Sequence, residues 1–321
     1  MKTLINLTTS TYDLDRFPYR EALLSFLEEF SMDGVELLVC DPDPRGIVPA
    51  SCVVGQHMLY YPYWLDFYRG DEAALMREFG SLDECEAVYG GSTKQALVDR
   101  VRADFANAER YSAEYVVFHV SDAGIREAMS GTFRHSSAEV IDATCELLGE
   151  ALSGARYRPL LLLENLWQPG LTMTDPAMTR LLLEGVPYEN VGLMLDTGHL
   201  FHTNESIVTQ EEGLSYINAM LDRHGALTER IRGVHLHQSI TGDYARSVRA
   251  NPPAPGKTYS ERAWQMFEYA FAIDRHQPFT CAGVRELIER IAPDYLTCEL
   301  ITDNITQHRA FLAEQKRALE A

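Results

Sequence analysis

Short apolar runs alternate along the chain with longer stretches in which apolar side chains return every three or four positions. The runs at residues 4–9, 34–39, 53–59, 115–120, 159–164, 191–196, 231–237 and 295–301 read as strands. The stretches at 19–30, 94–112, 136–154, 175–185, 209–225, 260–272, 282–291 and 305–320 carry helical periodicity. Asp175-Pro176 marks a helix start, a capping side chain followed by proline in the first turn. The strands are apolar almost throughout, as in Leu160-Leu161-Leu162-Leu163, so both of their faces must be covered. Strand and helix in alternation give a parallel sheet under helices, and eight such units predict one closed (β/α)8 barrel over residues 1–321. An open doubly wound sheet would want a glycine-rich phosphate loop after its first strand, and none follows residue 9.

Two stretches exceed the minimal repeat. Residues 60–91, after the third strand, begin with Tyr60, Tyr61, Tyr63, Trp64, Phe67 and Tyr68. Residues 239–259, after the seventh, carry Arg246, Arg249, Lys257 and three prolines. Long loops after barrel strands lie on the catalytic rim, where they serve as lids or substrate walls. The aromatic stretch is equally suited to a helical or oligomeric contact, which leaves a homo-oligomer open.

Composition removes several classes of partner. A formal net charge of −19 repels nucleic acid backbones and anionic lipid surfaces. No apolar run is long enough to span a bilayer. Met1-Lys2-Thr3 leads directly into the first strand, with no signal-peptide pattern. The six cysteines form no C-x-x-C pair, so the expectation is a cytoplasmic protein with reduced thiols that acts on a small molecule.

The chemistry lies where the strands end. Phe118 runs into His119, Leu163 into Glu164-Asn165, Leu195 into Asp196-Thr197-Gly198-His199, Val234 into His235-Leu236-His237, and Cys298 into Glu299. In a parallel barrel these ends converge on one mouth, where unpaired buried charge is costly. A divalent cation offsets that cost, and mixed carboxylates and imidazoles suit zinc, manganese, iron or cobalt better than calcium. A lone strand-end histidine is more often a hydrogen-bonded core residue; five such endings together favour a metal site.

These segments, with Gly34-Val35-Glu36 on the second strand, resemble the xylose isomerase-like TIM-barrel superfamily, which includes sugar isomerases and epimerases and the apurinic/apyrimidinic endonuclease family 2. The resemblance implies a core metal site of Glu164, Asp196, Glu299 and one histidine of the seventh strand. That histidine is His235 by the endonuclease-like pattern and His237 by the ketose epimerase pattern; Arg232-Gly233-Val234-His235-Leu236 favours His235. The endonuclease branch carries further ligands for a three-metal cluster, and this chain matches them with His57, His119, His199 and the Asp274-Arg275-His276 segment. The span from His235 to Asp274 is longer than in that branch, which puts Asp274 and His276 in question. Zinc and manganese are the expected metals, with more than one ion if the full set converges.

Two enzyme classes and one other follow. The leading expectation is phosphoester hydrolysis of a small phosphorylated or nucleotide-like molecule at a multi-metal site. There Glu164 or Glu299 would bridge metals, Arg246, Arg249 or Lys257 would hold phosphate, and His237 and Trp167 would touch substrate. The alternative is a sugar or sugar-phosphate isomerase or epimerase, with one metal and with Glu164 and Glu299 moving a proton on opposite faces. A non-catalytic barrel would have lost some strand-end ligands, and here the core four are present.

Overall fold

Alternation along a parallel strand sends every second side chain to the same face. Here that face is the inside of a barrel. The computed structural model describes residues 1–321. Its strands are β1 (Lys2–Thr8), β2 (Gly34–Leu38), β3 (Val53–His57), β4 (Tyr115–His119), β5 (Leu160–Glu164), β6 (Val191–Asp196), β7 (Ile231–His235) and β8 (Tyr295–Cys298). Each is parallel to the next, and β8 pairs with β1 through Lys2↔Tyr295 to Ile5↔Cys298. The expected (β/α)8 TIM barrel is therefore closed, with strands matching all eight apolar runs. β7 and β8 stop earlier than expected, so His237 and Glu299 stand just beyond their strands.

The barrel interior is filled by Leu4, Val54, Tyr115, Val117, Leu160, Leu162 and Met194. Tyr115 is the bulkiest of the fully buried side chains. It fits because residue 55 is glycine: a Cβ there would come within 2.1 Å of the Tyr115 ring. A second, larger core of 68 buried residues includes strand and helix side chains and holds the helices on the barrel. Asp175 caps the helix Pro176–Gly185 by accepting from Ala177 N, as its Asp-Pro start implied.

The insert after β3 folds into three short helices, Leu65–Arg69, Glu72–Phe79 and Leu82–Tyr89, each closed by a left-handed glycine. Its aromatic residues pack largely inward. Trp64, Phe67, Tyr68, Phe79 and Tyr89 are buried, with the Phe67 and Tyr89 rings stacked at 3.8 Å. The insert after β7 forms the helix Gly242–Ala250, crosses the prolines and enters the helix Tyr259–Ile273. The inserts touch each other: Arg262 Nη2 donates to Glu78 O at 2.6 Å, and the Phe79 and Tyr259 rings lie 4.6 Å apart. All six cysteines are free thiols. No helix is long and apolar enough to cross a membrane.

In the last helix, Ile305–Glu320, His308 is buried beside Phe26, and neither ring nitrogen has a hydrogen-bond partner. Burial, helped by Arg16 and Arg309, pulls its pKa from 6.5 down to about 4. Between these values the unfolded chain takes up a proton that the native one refuses, so stability rises with pH there. His308 alone is expected to remove about 3 kcal/mol as pH falls from 6.5 to 4. His308→Phe should flatten that part of the pH profile in urea unfolding; an unchanged slope would contradict the assignment.

Candidate metal centre

The inward-facing columns of the barrel run from apolar residues to metal-type donors. Tyr115 and Val117 lead to His119, Leu160 and Leu162 to Glu164, and Met194 to Asp196. Gly233 leads to His235, Thr297 points to Glu299, and β3 ends in His57. At the mouth these side chains form groups whose candidate donor atoms lie within 4.8 Å of one another. One group is Glu164, Asp196, His235 and Glu299; a second is His57, His119 and Glu164; a third is His199, His237, Asp274 and His276. Glu164 belongs to the first two. Its Oε2 lies 3.2 Å from His57 Nε2 and 3.0 Å from His119 Nε2, and its Oε1 lies 3.2 Å from His235 Nδ1.

The way these atoms meet fits cations better than protons. His235 Nδ1 is 3.0 Å from Glu299 Oε2, yet His235 Nδ1, Glu299 Oε2 and Glu164 Oε1 are all buried without a hydrogen-bond partner. Their lone-pair and N–H directions do not point at one another, as they would in a settled hydrogen-bond network. Burial pushes the carboxyls of Glu164, Glu299 and Asp274 up, but the surrounding imidazoles outweigh it and hold all three well below the ordinary range. The same pairing, against burial, holds His57 and His276 up at about 9. Anionic carboxylates crowded with imidazoles form a donor set for zinc-like ions.

The rings of His57, His199 and His276 are oriented by what their other nitrogen does, the arrangement that fixes a ligating imidazole. His57 Nδ1 donates to Met58 O at 2.8 Å, His199 Nδ1 to Asn165 O at 2.9 Å, and His276 Nδ1 faces Glu299 O at 3.1 Å. His199 and His276 then both direct Nε2 at Asp274 Oδ2, at 3.1 and 2.9 Å. Asp196 caps the short helix Thr197–His202 through His199 N at 2.6 Å and meets His237 Nε2 through its other oxygen at 2.9 Å. Residue 198 has to be glycine because the His237 ring lies against it: a Cβ would stand 2.0 Å from His237 Cε1.

A family model described as "Xylose isomerase-like TIM barrel" matches residues 87–320. The chain belongs to that family. Among solved structures, a D-tagatose 3-epimerase-like protein is 16% identical with a TM-score of 0.51, covering 100% of this chain and 98% of that one. Endonuclease IV from Thermus thermophilus is 15% identical with a TM-score of 0.50, covering 100% and 99%. At such identities the likeness is one of fold. No protein with a curated function matches the sequence.

Within this xylose isomerase-like barrel, Asp274 and His276 reach the mouth despite the long insert before them. Gln238 and Gln277 exchange backbone hydrogen bonds at 2.8 and 3.0 Å, which clips the far end of the insert to the end of β7. The candidate phosphate residues stand outside the donor groups. Arg246 is tied to Glu205 O and Asp243, and Arg249 to the Glu205 carboxylate. Lys257 is exposed on the insert. Trp167 lies 5.2 Å from the His199 ring and 4.7 Å from His202, and with Arg249 and Tyr269 lines a cavity of about 430 Å³.

Two residues escape a strand-end reading. His202, one turn past His199, has a side chain only 6% exposed and lies 3.4 Å from Asp274 Oδ1, and burial holds its pKa below the usual value. Glu36 on β2 crosses the barrel to His235 Nε2 at 2.9 Å and accepts from Tyr115 Oη at 2.6 Å and Thr297 Oγ1 at 3.1 Å. It lies in the middle of an apolar run, which was the available signal: a carboxylate at 2% exposure inside a barrel needs partners. Glu36→Gln would keep the shape and remove the charge that supports His235. It is expected to weaken metal binding about 10- to 100-fold, the usual cost of losing an outer carboxylate, as read by chelator competition. Unchanged affinity would mean that Glu36 serves packing alone.

Proposed function

We propose that the chain is a metal-dependent phosphoester hydrolase acting on a small phosphorylated or nucleotide-like molecule at a multi-metal centre. One observation carries the reading. Glu164 is shared between two donor groups, and a third group of His199, His237, Asp274 and His276 stands beside them, its Asp274 and His276 held in place by the Gln238–Gln277 clip. An enzyme needing one ion has no use for donors in that number.

Glu164, Asp196, His235 and Glu299 would hold one ion, His57 and His119 with Glu164 a second, and His199, Asp274 and His276 a third. Bound ions would activate a water for in-line attack at phosphorus and neutralise charge on the attacked and departing oxygens. The protein's own part is orientation. Met58 O, Asn165 O and Glu36 fix the imidazoles, and the buried walls keep bulk water from the carboxylates. The cavity beside Trp167 would seat the organic portion of the substrate, with the indole offering a stacking face.

A second reading, an isomerase or epimerase, has its own support. Glu164 Oε1 and Glu299 Oε2 flank His235 Nδ1 at 3.2 and 3.0 Å, a carboxylate pair that could work across a single bound sugar. Metal content and anomalous scattering on protein prepared without chelator separate the two. Two or three ions with turnover of bis(p-nitrophenyl) phosphate support hydrolysis. One ion after metal supplementation, with ketose epimerisation and no phosphodiester turnover, would replace it. An abasic DNA duplex should remain uncut at physiological salt, because a chain at −19 gains little from counterion release.

A further inference from the structure

Neither long insert is needed to close the barrel, yet the two meet. Where they do, through Arg262–Glu78 and Phe79–Tyr259, they enclose with the loop after β4 a pocket of about 540 Å³. Five cations line it: Arg77, Arg126, Arg134, Lys257 and Arg262. Its three carboxylates are already engaged. Asp66 holds Tyr63, Arg134 and His135; Glu78 accepts from Ile125 N; Glu127 accepts from Gly124 N and Arg134 N. Arg134 is occupied with Asp66 and Asp71, and Arg262 with Glu78 O.

That leaves Arg77, Arg126 and Lys257, one from each wall, with no side-chain hydrogen bond or ion pair. Elsewhere some basic side chains are matched to acids, as in Lys94–Glu150, Arg290–Asp222 and Arg309–Glu29, while others such as Arg156, Arg180 and Arg223 stand unpaired but line none of the larger pockets. In a chain with 47 acidic and 28 basic side chains, five cations against three carboxylates around one pocket run against the general charge balance. Guanidinium forks suit tetrahedral oxyanions, with an ammonium as a point charge beside them.

We propose that this pocket is an anion site, separate from the candidate metal centre, that binds a phosphate group of a small molecule. The volume is in the range of small-ligand sites and leaves room for more than the phosphate itself. The strongly polar lining favours a multiply charged ligand. The site does not depend on which reaction the metal centre performs.

The test is calorimetric titration of inorganic phosphate into metal-loaded protein at low salt. Under the proposed function the ions of the metal centre would take up phosphate as well, so Glu164→Gln should weaken that binding event and leave the pocket's own event in place. The Arg77→Ser/Arg126→Ser double variant should bind at least tenfold more weakly, and Lys257→Ser should show a smaller loss. The double lysine variant, Arg77→Lys/Arg126→Lys, should recover part of the affinity. Parent affinity should fall as salt is raised. All three cations are exposed, so the variants are expected to melt with the parent, which thermal unfolding checks. Equal phosphate affinity in parent and double serine variant would overturn the proposal. So would binding that disappears in Glu164→Gln, which would assign the phosphate to the metal centre. The source of the group is read from kinetics with any turned-over substrate: a double serine variant raised in KM alone marks the substrate's own phosphate, and one changed in kcat alone marks a separate molecule.

Discussion

Glu164→Gln is expected to lose about 10³-fold in phosphodiester turnover and to retain fewer ions than the parent. Glu164 is the only residue shared by the two donor groups that include His57 with His119 and His235 with Glu299, so one neutral amide would weaken both. Its carboxyl is held anionic by His119 and His235 against complete burial, and glutamine cannot supply that charge. Metal analysis after dialysis and kcat on bis(p-nitrophenyl) phosphate give the two readouts. His119→Asn is the companion variant. It touches only the His57 group, so a multi-metal hydrolase should drop by about one ion and lose most turnover, whereas a single-ion isomerase should keep its metal. Full metal content and parental turnover in Glu164→Gln would remove the basis for the shared-carboxylate reading.

The largest expected effect on stability is that of Tyr115→Ala. The ring fills the barrel interior over Gly55, fully buried, with Tyr295 4.4 Å away. Aromatic-to-alanine changes in such places cost about 3–5 kcal/mol through lost transfer energy and an unfilled cavity. The hydroxyl adds a separate contribution, because it donates to buried Glu36. Tyr115→Phe, which removes only that donor, should cost about 1–3 kcal/mol. Urea unfolding of both variants separates packing from hydrogen bonding. A loss in Tyr115→Ala no greater than in Tyr115→Phe would show that the interior collapses around the missing ring.

The barrel was readable because the strands are apolar almost throughout and the segments between them carry turn or capping residues, as at Asp175-Pro176. The strand-end donors were readable for the same reason: a charge at the end of an apolar run stands out. Asp274 and His276 end no strand and were legible only through the resemblance to the endonuclease branch; the Gln238–Gln277 pairing that returns them to the mouth leaves no local pattern. Glu36 was marked only as a carboxylate inside an apolar run, and its role could not be read because its partners are far away in sequence. The short helices at 65–69, 72–79, 82–89 and 125–130 lie in segments too brief for helical periodicity to declare itself. The aromatic residues at 60–68 suited a rim wall and a packing contact equally, and several join the large core between barrel and helices. Arg246 and Arg249 looked available in the sequence, but Glu205 and Asp243 are their neighbours in space.

The long reach of Glu36 also bears on how the molecule comes into being. Its contacts with His235 and Thr297 span 199 and 261 positions, and β1 cannot pair with β8 until the last strand exists. Contacts of such separation form late, because loop-closure entropy must be met before they return any energy. A ribosome-bound chain stopped before residue 295 would have His57, His119, Glu164 and Asp196 but neither Glu299 nor the sheet edge that closes the ring. Tight metal capture during synthesis would therefore coincide with arrival of β8, making the ion a marker of completed assembly rather than a nucleus for it.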